Sequence, residues 1–378
     1  MPRIVVAPDK FKGSLGAGEV AEALRTALLV RRGDLQVVTV PVADGGDGTL
    51  DAAVAAGYHR IATTATGPTG EPVETAWGRR GDEAVVELAD VSGLSRVRGG
   101  RRSALTATSR GTGELVAAAL DAGCRRIVVG IGGSACTDGG AGMVQALGAR
   151  LTGPAGLAGP DLAGGGGALD GLVGLDLDQL HPALGDSELV FACDVDNPLT
   201  GPHGAAAVYG PQKGASAGDV VVLDHALGHW ADVVAAATGA DLRAAPGAGA
   251  AGGVGFAAVA LLGARLRPGI ELVLDLAGFD EIVRDADLVL VGEGSLDEQT
   301  LHGKAVAGVA RAARAAGARV VAVCGRNRLD DNQLSAIGVT AAYALLDVEP
   351  DLALCMDDPA RLLGRLVDAI VADGHVDG

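Results

Sequence analysis

The chain has 378 residues, 48% hydrophobic and 20% charged, a balance that excludes intrinsic disorder and gives length for two domains of ordinary size. Thirty basic against forty-seven acidic residues leave a formal charge of −17, which argues against nucleic acid and anionic membranes as partners. An anionic substrate therefore has to be drawn in by local cations.

Sixty glycines and only nine aromatic residues point to cores of Ala, Val and Leu, with glycine concentrated in loops. Five cysteines (Cys124, Cys136, Cys193, Cys324 and Cys355) form no CxxC pair and no zinc set, and read as reduced, mostly buried thiols of a cytoplasmic protein. The apolar run at Met1–Asp9 is too short for a signal peptide. The uncharged stretch Ala244–Ala264 is mostly Gly and Ala around Pro246, so no membrane span is expected. The chain has 26 arginines but four lysines, Lys10, Lys12, Lys213 and Lys304. All four sit in or beside glycine-containing loops, which marks them as candidates for positions that need a compact charge.

In chain order, Arg3–Ala7 predicts a first strand, ending at a loop that carries Lys10 and Lys12. Ser14 is a candidate cap for the amphipathic helix Ala17–Leu29. The next strand, Gln36–Val40, runs into Asp44-Gly45-Gly46-Asp47-Gly48-Thr49 ahead of a helix over Leu50–Ala56. Its glycines permit close backbone approach to a ligand, and Asp44 and Asp47 suit substrate hydroxyls or a cation; acid at a helix N-terminus is the structural alternative. From Ile61 to Leu94 the Thr, Gly, Pro and β-former texture predicts antiparallel strands and a different domain. A helix over Gly113–Asp121 and the strand Arg126–Val129 lead to Gly130-Ile-Gly132-Gly133-Ser134-Ala-Cys136-Thr137-Asp138-Gly139-Gly140, a candidate nest for phosphate oxygens. Gly153–Gly174 is read as a surface excursion without chemistry.

The strand Leu189–Cys193 leads into Asp194-Val-Asp196-Asn-Pro198, where two carboxylates on one side suit Mg²⁺ or a base for a hydroxyl. An Asx turn before proline is the alternative. Lys213 follows in Gly210-Pro-Gln-Lys-Gly214. The formal GxGxxG at 247–252 lacks a preceding strand, so it predicts a loop feeding the helix Val254–Gly263 rather than a dinucleotide site. Then come a short helix at Phe279–Arg284, strand Asp287–Val291, helix Ala305–Ala316, strands Arg319–Cys324 and Ala341–Leu346, and helix Pro359–Val371. This alternation requires a parallel sheet covered on both faces. The stretch Gly292-Glu293-Gly294-Ser295-Leu-Asp297-Glu-Gln299-Thr300-Leu-His-Gly303-Lys304 reads either as a strand delivering polar groups and an ammonium to an anion or as a structural strand–turn–helix. It is not a Walker A loop, because Glu298 holds the first glycine position and Ala305 follows the lysine.

The expected fold is α/β with two domains: a discontinuous doubly wound domain over 1–60 and 271–378, an inserted mixed α/β domain over 61–270, and the active site in the cleft between them.

Seven segments together resemble the bacterial glycerate kinase family, the type that includes the glycerate 2-kinases. They are Ala7–Ser14, Ala43–Thr49, Gly132–Gly140, Cys193–Leu199, Gly210–Ala215, Gly249–Gly253 and Gly292–Lys304. The sequence departs from the family pattern at Lys10, at Cys136-Thr137, and at Asp47 and Ser295, which stand where Glu and Arg are common.

The resemblance implies ATP-dependent phosphorylation of D-glycerate, 2-phosphoglycerate being the favoured product, with Mg²⁺. It is taken to mean catalytic roles for Asp194 as base and for Lys12 and Lys304, and a metal role for Asp196, with Asp44 or Glu293 able to exchange roles with these two acids. Substrate or phosphate contacts are implied for Asp44, Gly45, Gly46, Gly132, Gly133, Ser134, Lys213, Gly252, Gly253, Glu293, Asp297, Gln299 and Thr300. A kinase acting on the 3-hydroxyl or on another short hydroxy acid, and a nucleotide-binding regulator, are the alternatives; the chain is expected as a monomer or homodimer.

Overall fold

A computed structural model describes residues 1–97, 103–153, 165–302 and 304–377. The chain begins with β1 (Arg3–Pro8) and β2 (Gln36–Thr39). It continues through β3 (His59–Thr66), β4 (Pro72–Arg80), β5 (Glu83–Glu87), β6 (Arg126–Gly130), β7 (Arg150–Thr152), β8 (Gly174–Asp176), β9 (Glu188–Ala192) and β10 (Arg265–Arg267). It closes with β11 (Leu288–Leu296), β12 (Arg319–Asn327) and β13 (Ala341–Ala344). Two compact units result: residues 1–44, 51–57 and 269–378 form the first, and residues 45–50 and 58–268 the second.

The first unit is a five-stranded, wholly parallel sheet in the order β13-β12-β11-β1-β2. Its strands are near-continuous apolar runs because both faces are covered. Side-chain alternation splits them between two cores. Val5, Ala7, Val289, Val291, Val320 and Ala322 face one way, with Val306, Val309 and Ala310 of the helix Ala305–Ala315. Ile4, Val6, Leu288, Leu290, Val321 and Val323 face the other, with residues of the helices Ala17–Arg31 and Pro359–Ala372. Each fully buried Val, Leu or Ile contributes about 1.5–3 kcal/mol. This is the expected doubly wound sheet. Between β1 and β11 the chain leaves in opposite directions, toward β2 and toward β12. Such a switch point opens a crevice at the carboxyl ends of its strands.

Three local expectations are corrected. β11 does not stop at Val291 but runs to Leu296, with Glu293 opposite Cys324 and Ser295 opposite Arg326. The small residues Gly292, Gly294 and Ser295 let it stay paired with β12, which itself extends to Asn327. Leu345 and Leu346 belong to a short helix, Leu345–Val348, instead of the last strand. Ser14 does not cap the first helix: Gly16 is its N-cap, Glu19 accepts the Gly16 N–H at 2.8 Å, and the Ser14 hydroxyl donates to Phe11 O at 3.0 Å.

The second unit holds a six-stranded mixed sheet, β10-β9-β6-β5-β4-β3, in which β5, β6, β9 and β10 run parallel and β3–β4–β5 antiparallel. The helix Leu88–Ser92 follows β5 directly. Of the excursion read over Gly153–Gly174, residues 154–164 lie outside the described residues; the rest is a 3-10 turn, Gly165–Gly171, and the start of β8. Among the described residues one helix, Ala217–Thr238, is long and apolar enough to cross a membrane. It instead buries Leu223, Leu227, Trp230 and Val234 in the core of this unit, with Trp230 Nε1 donating to Gly139 O at 3.0 Å.

Candidate functional site

In the first unit, polar groups gather where the sheet's connections diverge. Pro8 is in register with Gly292, and the Asp9 N–H donates to Gly292 O at 2.8 Å. Asp9 and Glu293 therefore leave the carboxyl ends of adjacent strands. Val42 N–H donates to Pro8 O at 3.0 Å, which brings the partly exposed Asp44 to the same end. A Cβ on Gly294 would stand 3.3 Å from Lys12 N, so a bare backbone here admits the exposed Lys12 turn, itself closed by Phe11–Leu15 pairing.

The segment after β11 folds back on Glu293. The Thr300 hydroxyl, almost fully buried, donates to Glu293 Oε1 and accepts the Asp297 N–H at 3.1 Å. Gln299 N–H donates to Asp297 Oδ1 at 3.0 Å, and its side-chain oxygen receives the Lys304 ammonium at 2.6 Å. Lys304 is also the N-cap of the helix Ala305–Ala315. Burial pushes the Glu293 carboxyl up to about 7; Asp9 and Asp297 push the same way, while the Thr300 hydrogen bond and Lys304 oppose them. A carboxyl of this kind exchanges a proton near neutrality, as a general base requires. Lys12, Asp44, Glu293, Asp297, Gln299, Thr300 and Lys304 thus belong to one end of one sheet.

In the second unit, the parallel strands β5, β6 and β9 end level, with Glu87, Gly130 and Ala192 in register. β6 runs on into the Gly132–Ser134 turn, and β9 into the solvent-exposed Asp194 and Asp196. The Gly45–Thr49 turn lies directly on the first of these: Gly132 N–H donates to Gly45 O at 3.1 Å, and a Cβ on Gly132 would stand 2.7 Å from Gly46 Cα. The two glycine loops read as ligand nests are therefore packed backbone to backbone, and close approach is one reason for their composition. Gly133 is exposed, at φ +74°, and a Cβ on it would stand 3.3 Å from Ala89 Cβ.

Lys213 is buried, and its ammonium donates to Ser134 Oγ at 2.9 Å and to Cys136 O at 2.6 Å. Desolvation lowers its pKa, with Asp138 and Cys136 opposing. Asp138, fully buried, accepts from Ser109 N–H at 2.8 Å, Ser109 Oγ at 2.9 Å and Gly140 N–H at 3.2 Å. Burial nonetheless raises its pKa. This carboxylate ties the end of the loop that Lys213 clasps to Ser109.

Gly252 and Gly253 sit at φ +70° and +94°, inside a left-handed kink that also takes Ala251 to +51°. A Cβ on Gly252 would stand 2.1 Å from Cys136 O, and Gly139 N–H donates to Gly252 O at 3.0 Å. These glycines brace the Cys136–Gly139 backbone. The Asn197 amide is committed too, donating to His203 O at 2.8 Å and accepting from Tyr209 OH at 2.6 Å. Asp194 and Asp196 are exposed on the same loop.

The residue that sequence reasoning passed over is Glu87. It is buried, yet both its oxygens accept Gly48 N–H at 3.2 Å and one accepts Leu50 N–H at 2.9 Å. An acid closing a buried run of β-formers, Ala84-Val-Val86, was the available signal.

The glycerate kinase family model matches residues 4–373. A glycerate kinase of Bacillus subtilis is 45% identical over 98% of this chain and 97% of its own length. A glycerate 2-kinase of Escherichia coli is 46% identical over 91% of this chain and 90% of its own. A crystal structure from Salmonella typhimurium LT2, provisionally described as glycerate kinase 2, superposes with a TM-score of 0.84 at 42% identity, covering 99% of both chains. The chain belongs to the glycerate kinase family and is a kinase.

Proposed function

We propose that the protein transfers the γ-phosphoryl group of ATP directly to the 2-hydroxyl of D-glycerate, giving 2-phosphoglycerate and ADP. The observation that carries this reading is the level ending of the adjacent strands β6 and β9, so that the Lys213-bound Ser134 turn and the exposed Asp194 both follow the carboxyl edge of one sheet. Phosphoryl transfer asks a protein for positive charge around the equatorial oxygens and a group to take the hydroxyl proton. Lys213 supplies such charge through Ser134. Asp194 accepts the glycerate hydroxyl proton. The E. coli relative's name supports the 2-position.

Mg²⁺ when bound neutralises part of the nucleotide's charge. Among the described residues no group of three or more His, Cys, Asp or Glu side chains is set to hold a metal. That fits an ion carried largely by phosphate oxygens and water, with Asp196, exposed after β9, as the protein carboxylate that would hold it.

A second reading makes Glu293 the base, on the strength of a carboxyl raised to about 7. The discriminating experiment measures ADP release from Mg-ATP and D-glycerate by wild type, Asp194→Asn and Glu293→Gln. Collapse of kcat in Asp194→Asn alone supports the first assignment, and collapse in Glu293→Gln alone supports the second. No glycerate-dependent ADP release by wild type overturns the proposed reaction.

A further inference from the structure

Glu87 ends β5 at 5% exposure, and the residues that engage its carboxylate are backbone amides. Among the described residues, the charged side chains with the largest influence on it are acids. Asp47, on the turn it holds, and Asp90, on the helix Leu88–Ser92, both disfavour its ionised form, after burial, which is the largest influence. Asp90 is itself taken up by Arg96 and by the Thr75 hydroxyl, at 2.8 Å for the latter. Burying an acid among acids is costly unless the charge is needed where it stands.

The segment it holds is specific. Gly48 and Leu50 flank Thr49, whose hydroxyl donates to Gly46 O at 2.6 Å, and Gly45 O accepts Gly132 N–H. From Glu87 the restraint thus runs to Gly48 and Leu50, through Thr49 to Gly46, and on to the Gly132–Ser134 turn. The amides of Gly48 and Leu50 are occupied by this carboxylate, so the start of the helix Thr49–Ala55 serves to anchor the turn.

We propose that Glu87 is a positioning residue for the reaction: its carboxylate, clamped on the amides of Gly48 and Leu50, fixes the Gly45–Thr49 turn in the form that substrate binding requires. The inference rests on the proposed reading of Gly45 and Gly46 as substrate contacts. Hydrogen bonds from amides to an ionised acceptor are about twice as strong as neutral ones. The amides of Gly48 and Leu50 lower a pKa that burial raises to about 7, so they favour the ionised form. Release of the turn from a still-buried Glu87 therefore becomes harder as pH rises through about 7, although global unfolding, which exposes the carboxyl, becomes easier.

The test compares wild type, Glu87→Gln and Glu87→Asp. Glu87→Gln keeps the shape and removes the charge. The expected result is a rise of about tenfold or more in KM for glycerate, less than about threefold change in kcat, and an unchanged KM for ATP. Its melting temperature at pH 8 stays within about 3 °C of wild type, because an unfavourable buried charge has gone. Glu87→Asp, with the charge retained, recovers part of the glycerate affinity. A merely structural residue would move stability and leave the KM values alone.

Hydrogen exchange of the peptide spanning 44–52 reads the clamp without turnover. Corrected for intrinsic rates, wild-type protection should rise from pH 6 to pH 8.5, and Glu87→Gln should lose that rise. Glycerate KM within twofold of wild type in Glu87→Gln, or wild-type protection that is flat with pH, overturns the proposal. If wild type does not turn over glycerate, the reaction falls, and the exchange series still decides whether Glu87 clamps the turn.

Discussion

Replacing Gly252 by alanine tests whether the Gly249–Gly253 loop braces the Lys213-bound backbone, and Gly239 supplies the control. Both glycines lie in the second unit at similar left-handed angles, φ +70° and +78°. A Cβ on Gly239, which caps the helix Ala217–Thr238, meets nothing within 4 Å, whereas one on Gly252 lies 2.1 Å from Cys136 O and 2.7 Å from Thr137 Cα. Gly239→Ala therefore carries only the left-handed penalty of about 1–2 kcal/mol. Gly252→Ala adds an overlap with backbone that cannot rotate away, costing about 1–3 kcal/mol more. A total of about 2–5 kcal/mol is a large share of the 5–15 kcal/mol typical of a folded domain. The two tryptophans, Trp77 and Trp230, are both buried in the second unit, so fluorescence-monitored urea unfolding reports this unit alone. Cys136 O also accepts the Lys213 ammonium at 2.6 Å, so Gly252→Ala should lower kcat/KM as well, while Gly239→Ala leaves it near wild type. Equal destabilisation of the two variants, within about 0.5 kcal/mol, would refute the brace.

Asp194→Asn should lower kcat by about 10²–10⁴ if Asp194 is the base, with near-normal kcat contradicting the assignment. Lys213→Met should cost about 1–3 kcal/mol of stability by leaving Cys136 O without its ammonium donor, and lower kcat/KM by at least about 10² by removing the charge behind Ser134. Glu293 gives a pH dependence of stability. Its carboxyl rises from 4.5 unfolded to about 7 folded, so the folded protein holds the proton more tightly. The resulting stability is fully present below pH 4.5 and is lost as pH rises through about 7, by roughly 3 kcal/mol at most. Melting followed by circular dichroism from pH 5 to 8 should show this decline, to which Glu87 contributes with the same sign, and Glu293→Gln should make it less steep; an identical slope in the variant would contradict it.

The rhythm of apolar runs and helices made the doubly wound sheet legible, because a strand buried on both faces has to be apolar along its whole length. The elements that deliver Lys12, Glu293 and Lys304 could be read for the same reason. The continuation of β11 through Glu293 could not, since Gly292, Gly294 and Ser295 read as loop until β12 is there to pair with them. Glycine was ambiguous in a second way. Gly132 and Gly252 look like phosphate cradles in sequence, yet each is required by a backbone passing closer than a Cβ allows. Glu87 was hidden because its partners are amides nearly forty residues away in the chain (|i−j| 37 and 39). Such contacts leave no spacing pattern in sequence.

The reaction is tested most directly by phosphorus NMR of the product from purified protein, D-glycerate and Mg-ATP. The account predicts a 2-phosphoglycerate resonance growing with ADP. A 3-phosphoglycerate resonance would contradict the assignment of the 2-hydroxyl, and no phosphorylated glycerate would contradict the proposed reaction.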